Sequence, residues 1–216
     1  MNPATLLTIR PIGPAPNRSR RSRNVRRIVV CLVAAACGLP GLASSAVRAV
    51  EPSVSYIFPA GGQRGHQVPV RVGGHFLHGE AEFSMTGPGI ETSPTVKETE
   101  TTWFEGPVIP QPASQRSEDY PRDHEAAVNI AADAPLGFRR WRVQTSQGIT
   151  PSMLFMVGEL PEVVEEEVQG DPIPTEVALP VTINGRIFPR EDVDVWAFDA
   201  KAGQTYYAEV HATRLG

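Results

Sequence analysis

From Ser53 onward the apolar residues return at every second position in short bursts. "SVSYIFP", "VPVRVGG", "AEFSMTG", "AAVNIAA", "RRWRVQT" and "SMLFMVG" are each bounded by Gly, Pro, Asp or Ser. A beat of two is that of a half-buried strand, and no long window repeats apolar residues at i, i+3, i+4 and i+7 as an amphipathic helix requires. The pattern predicts six or seven short strands over residues 50–158, an immunoglobulin-like β-sandwich in an all-β protein. In "RRWRVQT", parity turns Trp141, Val143 and Thr145 inward and leaves Arg140, Arg142 and Gln144 to water. In "SMLFMVG", Met153, Phe155 and Val157 oppose Leu154 and Met156, so both faces of that strand are expected to be covered. Phe104 to His124, with four prolines among charged residues, reads as a long loop.

After Gly158 the text changes to "ELPEVVEEEVQGDPIPTE". Its prolines and clustered glutamates predict an extended acidic linker over 159–176. Three further strand candidates follow, "VALPVTINGRIFP", "VDVWAFDA" and "QTYYAEVHAT". Three strands over 177–216 are too few to close a second sandwich, so the last is expected to present an edge open to another chain.

Residues 1–49 follow a different pattern. They hold eight arginines and no acid, and "RSRRSRNVRR" leads into the uncharged 12-residue run Ile28–Leu39 and then "ASSAVRA". This is the order of a secretory signal peptide, and the run is shorter than the roughly 20 residues of a spanning helix. Cleavage fits after Ala46, with Ser44 at the −3 position, or after Ala49, with Val47 there; a lipid anchor on Cys37 is the competing reading. Cys31 and Cys37 both lie inside this leader. The mature chain would therefore have no cysteine, which excludes disulfides, a thiolate zinc site and a cysteine nucleophile. It would also carry no transmembrane span, and the predicted location is secreted, periplasmic or cell-surface.

Removing the leader shifts the charge. The whole chain has 20 basic and 24 acidic residues; without the eight leader arginines the balance is 12 against 24, about −12 before histidine. Such a surface repels phosphate backbones, so nucleic acid is not an expected partner.

Two stretches resemble known families. "PSVSYIFPAGGQRGHQVPVRVGGHFLHGEAEFSMTG" resembles the opening of IPT/TIG-type immunoglobulin-like domains, and "AAVNIAADAPLGFRRWRVQTSQGITPSMLFMVG" resembles their closing half, with "APLG" at a tight turn. From Val177, "LPVTINGRIFPREDVDVWAFDAKAGQTYYAEVHATRLG" is similar to the first half of a bacterial pre-peptidase C-terminal (PPC) domain. Asn184-Gly185, Ile187, Asp194, Trp196, Phe198 and Ala202-Gly203-Gln204 carry that likeness. It implies a non-catalytic, jelly-roll-like sandwich of the kind appended to secreted bacterial peptidases, and that family has several further strands.

Candidate chemistry is sparse. In "DVDVWAFDA", Val193, Val195 and Ala197 share one strand face and Asp194, Trp196 and Phe198 the other, so the aromatic pair reads as core. Asp192 and Asp194 stand at the strand entrance, where carboxylates bond turn N–H groups. The alternative, implied by collagen-binding relatives of the PPC family, is calcium held between Glu165, Glu166, Glu167 and Asp171 of the linker and Glu191, Asp192 and Asp194. Calcium needs six to eight oxygens, so the linker would have to fold back. An acid pair for glycoside cleavage is disfavoured, since Asp192 and Asp194 share a face with no pocket-forming elements around them. His75, His78 and Glu80 have metal-like spacing but sit in a glycine-bounded turn rather than a helix, and His66, His124 and His211 are isolated. No G-x-S-x-G, H-E-x-x-H, P-loop or helix-opening G-x-G-x-x-G occurs. The sequence thus assigns no catalytic, cofactor or metal residue, with calcium as the one alternative. It predicts a non-catalytic adhesion, substrate-binding or scaffold module with a protein or polysaccharide partner. The other readings are an accessory part of a larger secreted hydrolase and calcium-dependent binding to matrix or polysaccharide.

Overall fold

Every helix or strand among the described residues is a strand, as the two-residue beat requires. The computed structural model describes residues 4–11, 50–101, 121–166, 173–187 and 193–212. The first strand is β1 (Ala4–Pro11). Segment 50–158 holds β2 (Ser53–Phe58), β3 (Gly61–Gln63), β4 (Gln67–His75), β5 (Glu80–Thr86), β6 (Ile90–Thr92), β7 (Thr95–Glu98), β8 (Arg122–Ile130), β9 (Gly137–Thr145), β10 (Gly148–Ile149) and β11 (Met153–Gly158). After it come β12 (Glu162–Val164), β13 (Thr175–Glu176), β14 (Val181–Arg186), β15 (Trp196–Ala197) and β16 (Tyr206–His211).

The ten strands β2–β11 share hydrogen bonds in the order β2-β4-β8-β7-β5-β9-β11-β3, with β10 on β9 and β6 on β8. The two ends of that order, β2 and β3, are joined by only Pro59 and Ala60. A sheet whose ends are that close along the chain must curve round on itself, which makes two facing layers. Between them lies one apolar core with Val70, Val72, Phe83, Val96, Val128, Trp141, Val143, Phe155 and Val157. Trp141 meets Phe83 edge to face at 6.0 Å and donates its indole N–H to the Leu154 carbonyl at 3.3 Å. The alternation in "RRWRVQT" is realised as expected: Trp141 and Val143 are buried, while Arg140, Arg142 and Gln144 face solvent. Arg139, on the inward parity, is buried near the sheet end, where its guanidinium donates to the carbonyls of Pro135 and Phe138.

A four-stranded sheet, β12-β14-β1-β16, is built from both ends of the chain. β1 runs antiparallel to both neighbours, and β12 runs parallel to β14. Three expectations change here. Residues 4–11, read as the first part of the leader, form a strand in this sheet, where the Thr- and Ile-containing "TLLTI" buries Leu6 and Ile9. Glu162–Val164, read as linker, is a strand, with Glu165 N–H continuing the pairing to the Asn184 carbonyl at 2.9 Å. The expected long loop ends early, since Arg122, Asp123 and His124 already belong to β8; its residues 104–120 lie outside the described set. Residues 12–49, with most of the predicted leader, also lie outside it.

Leu6 packs with Phe58 and Ala60 in a second buried cluster, flanked by Tyr56, Leu154 and Met156. Both faces of β11 are therefore covered, as the sequence predicts, one by the main core and the other by β1. Gly61 is required at this crossing. A Cβ there would come 2.9 Å from the Leu6 side chain and 2.7 Å from the Met156 carbonyl oxygen.

Candidate functional site

A concavity of about 1120 Å³ lies over the outer side of β4, β8, β7 and β5 and is walled by Pro161, Glu162, Val164 and Glu165. Pro59, Pro69, Pro94 and Val164 give it apolar lining. Four charged residues cross it in a row. In the strand register Arg71 of β4 stands opposite Glu125 of β8, Glu125 opposite Lys97 of β7, and Lys97 opposite Glu80 of β5. Signs alternate at every step, the arrangement that cross-strand pairing favours. Thr95 fixes the far end by donating its hydroxyl to Glu80 Oε1 at 2.7 Å. Phe58, the one Phe, Tyr or Trp among the described lining residues, is 5% exposed and lies beneath the Arg186 guanidinium at 4.9 Å.

Two buried polar nodes hold the groove's framework. In the first, the Tyr56 hydroxyl donates to Asp123 Oδ1, and Arg71 Nη1 approaches Asp123 Oδ2 at 3.4 Å while donating to the Glu100 carbonyl at 2.9 Å. Asp123 is wholly buried. Burial first, and then the hydrogen bond and charge of Asp123, raise the Tyr56 hydroxyl far above the ordinary phenol value. The tyrosine ring lies across Gly73, where any Cβ would strike it.

In the second node, Asn184 Oδ1 accepts the Ala60 N–H at 3.1 Å, and its Nδ2 donates to Glu162 Oε2 at 2.7 Å. Glu165 Oε2 accepts the Arg186 N–H at 2.7 Å. Burial pushes the Glu162 carboxyl up to about 7, and the Asn184 hydrogen bond works in the opposite sense. One asparagine thus ties the main sandwich, the groove wall and the four-stranded sheet together.

The residues singled out in the sequence do not converge. Glu165 is engaged as described, and Glu166 and Asp194 are exposed. Glu167, Asp171, Glu191 and Asp192 lie outside the described residues. Among the described residues no three His, Cys, Asp or Glu side chains cluster as metal ligands would. Trp196 is only half-buried and Phe198 is exposed, which differs from the core reading. Trp196 stands on β15, which pairs with the two-residue β13, and Phe198 follows it with its ring 5.5 Å from that of Tyr206. His75 ends β4 and His78 lies in the short connection to β5, with Phe76 and His78 at positive φ, 58° and 62°. His124 differs from its expected isolation: it is buried in β8, with Nε2 2.6 Å from the His78 carbonyl. The charged row escaped the sequence reading because it exists only once the register of four strands is known. The exposed parity of Arg71, Lys97 and Glu125 was its one available trace.

No helix among the described residues is long and apolar enough to cross a membrane. No family model, curated protein or solved structure matches this chain.

Proposed function

We propose that this chain is a non-catalytic, exported binding module. In this reading an IPT/TIG-like sandwich is joined to strands of a PPC-like one, and it holds an extended polypeptide in the groove over β4, β8, β7 and β5. The observation that carries the reading is the Arg71–Glu125–Lys97–Glu80 row set in an apolar-lined groove. Four strands at about 4.8 Å spacing span roughly 14 Å, the length of four or five extended residues. A peptide crossing there meets proline and valine surface for burial and charges of both signs for register. Polypeptide is favoured over sugar because the described lining offers no exposed Phe, Tyr or Trp ring for a pyranose to stack on. Export is supported by the arginine-then-apolar-then-small order of residues 18–49.

The test is selection of a random-peptide display library on the protein, counter-screened on Lys97→Glu/Glu125→Lys, which inverts the two central signs. The reading predicts enriched peptides bearing both charges that bind the variant at least about tenfold more weakly. Peptides that bind both proteins equally, or purified protein that hydrolyses a peptide bond by itself, would overturn it.

A second reading, an accessory part of a larger secreted hydrolase, is favoured by the exposed Val193, Phe198 and Val210. Another polypeptide layer would cover them.

A further inference from the structure

The four-stranded sheet has an unusual centre. β1 lies between β14 and β16, with register running from Ala4↔Arg186 to Ile9↔Val181 on one side and from Leu6↔His211 to Pro11↔Tyr206 on the other. Leu6 is 1% exposed and Ile9 6%, and by parity they project from opposite faces of the sheet. The strand therefore fills a backbone slot and buries an apolar side chain on each face. One detail fits badly. Thr8, on the Leu6 face, has its Oγ1 buried without a hydrogen-bond partner. A buried orphan hydroxyl is a penalty that valine, with a methyl in its place, does not incur.

We propose that the space between β14 and β16 is a strand-acceptor slot. β1 fills it in the precursor, and after the leader is removed it takes up an extended segment of another polypeptide. That segment carries apolar side chains at the positions of Leu6 and Ile9 and a β-branched apolar residue at the position of Thr8. The proposal rests on the export reading, because β1 lies within residues 1–49. Loss of β1 leaves the facing edges of β14 and β16 without their ladder partner and uncovers Phe58 and Ala60, which Leu6 packs against. An edge of that kind is a template for β-augmentation, in which main-chain bonds give affinity and the buried side chains give sequence preference. The slot selects direction too, since the incoming strand must run antiparallel to both neighbours.

The test uses the full chain with a protease recognition sequence inserted after Ala46, cut in the folded state. The probes are labelled peptides of residues 4–11, ATLLTIRP, in three forms: parent, Thr8→Val and Leu6→Asp/Ile9→Asp. The uncut chain is expected to take up none. The cut chain is expected to exchange its own strand for the parent peptide, to bind the Thr8→Val form about tenfold more tightly, and to reject the doubly charged form. No uptake by the cut chain, equal uptake of the charged peptide, or weaker binding of the Thr8→Val form overturns the proposal. So does a cut chain that dimerises and excludes peptide, which would give the slot to a second copy.

Because cutting can loosen the sheet, a second arm keeps the chain uncut and introduces Leu6→Asp/Ile9→Asp. Its melting temperature is expected to fall and to recover when the parent peptide is added; a fall without recovery overturns the slot. Intact mass of the exported product decides the export reading separately. A product that retains residues 1–49 sinks that reading, while uptake by the cut chain still decides whether the slot exists.

Discussion

The sandwich of residues 50–158 and the four-stranded sheet beside it obey the same two-residue pattern and end in different states. In the sandwich, alternate residues of β4, β8, β9 and β11 meet one another across a filled core, and Trp141, Val72 and Val143 are fully buried. Among the described residues after Gly158, only Val181 and Ile183 join Leu6 and Ile9 as buried apolar side chains, while Ile173, Val193, Val195, Phe198, Tyr207 and Val210 stay exposed. Alternation says which side chains share a face. Whether that face is buried depends on a second layer, and alternation is silent about that.

The contrast is broken most forcefully from inside the sandwich. Trp141→Ala removes the largest fully buried side chain and should cost about 3–5 kcal/mol, measured by urea unfolding. Leu6→Ala should cost less, about 2–3 kcal/mol, since its cluster is smaller. Hydrogen exchange should then accelerate in β14 and β16 and stay unchanged in β4, β8 and β9. Equal acceleration in both regions would mean that they unfold as one unit and would erase the contrast.

Glu162 probes the tie between the two regions. Its folded carboxyl titrates near 7, above the ordinary 4.5, so the folded state binds more protons than the unfolded state between those values. Stability from this group is complete below about pH 4.5 and is lost as pH rises through 7. Glu162→Gln keeps an acceptor for Asn184 and removes the ionisation. It should be more stable than the parent at pH 8 by about 1–3 kcal/mol, with a flatter stability profile from pH 4.5 to 7. A parallel profile for parent and variant would exclude Glu162 as the source. Val210→Ser, on an exposed strand, should shift stability by less than about 0.5 kcal/mol in thermal melts. A larger loss would reveal that this face is covered in solution.

The all-β class, the strands of 50–158 and the inward set of β9 were legible because each is a local matter of parity and turn residues. Coverage of both faces of β11 was legible as well, from Leu154 and Met156 alternating with Phe155. The site was not. The row Arg71–Glu125–Lys97–Glu80 joins residues far apart in sequence through strand order, and the Asn184 node depends on where Glu162 docks. Glutamates 162 and 165 read as solvated linker because a carboxylate run gives no local sign that an asparagine amide and a backbone N–H will meet it. The aromatic pair Trp196 and Phe198 misled in the opposite direction, since the core pattern stands on a two-residue strand whose partner β13 is equally short.

The checkerboard on the groove floor also sets how far its influence reaches. Neighbouring opposite charges separated by about one strand spacing, near 4.8 Å, sit closer than the roughly 8 Å screening distance of physiological salt, so their potentials cancel before reaching bulk solvent. Such a surface attracts nothing from afar; it discriminates at touching distance, where sliding a visitor by one strand turns every attraction into a repulsion.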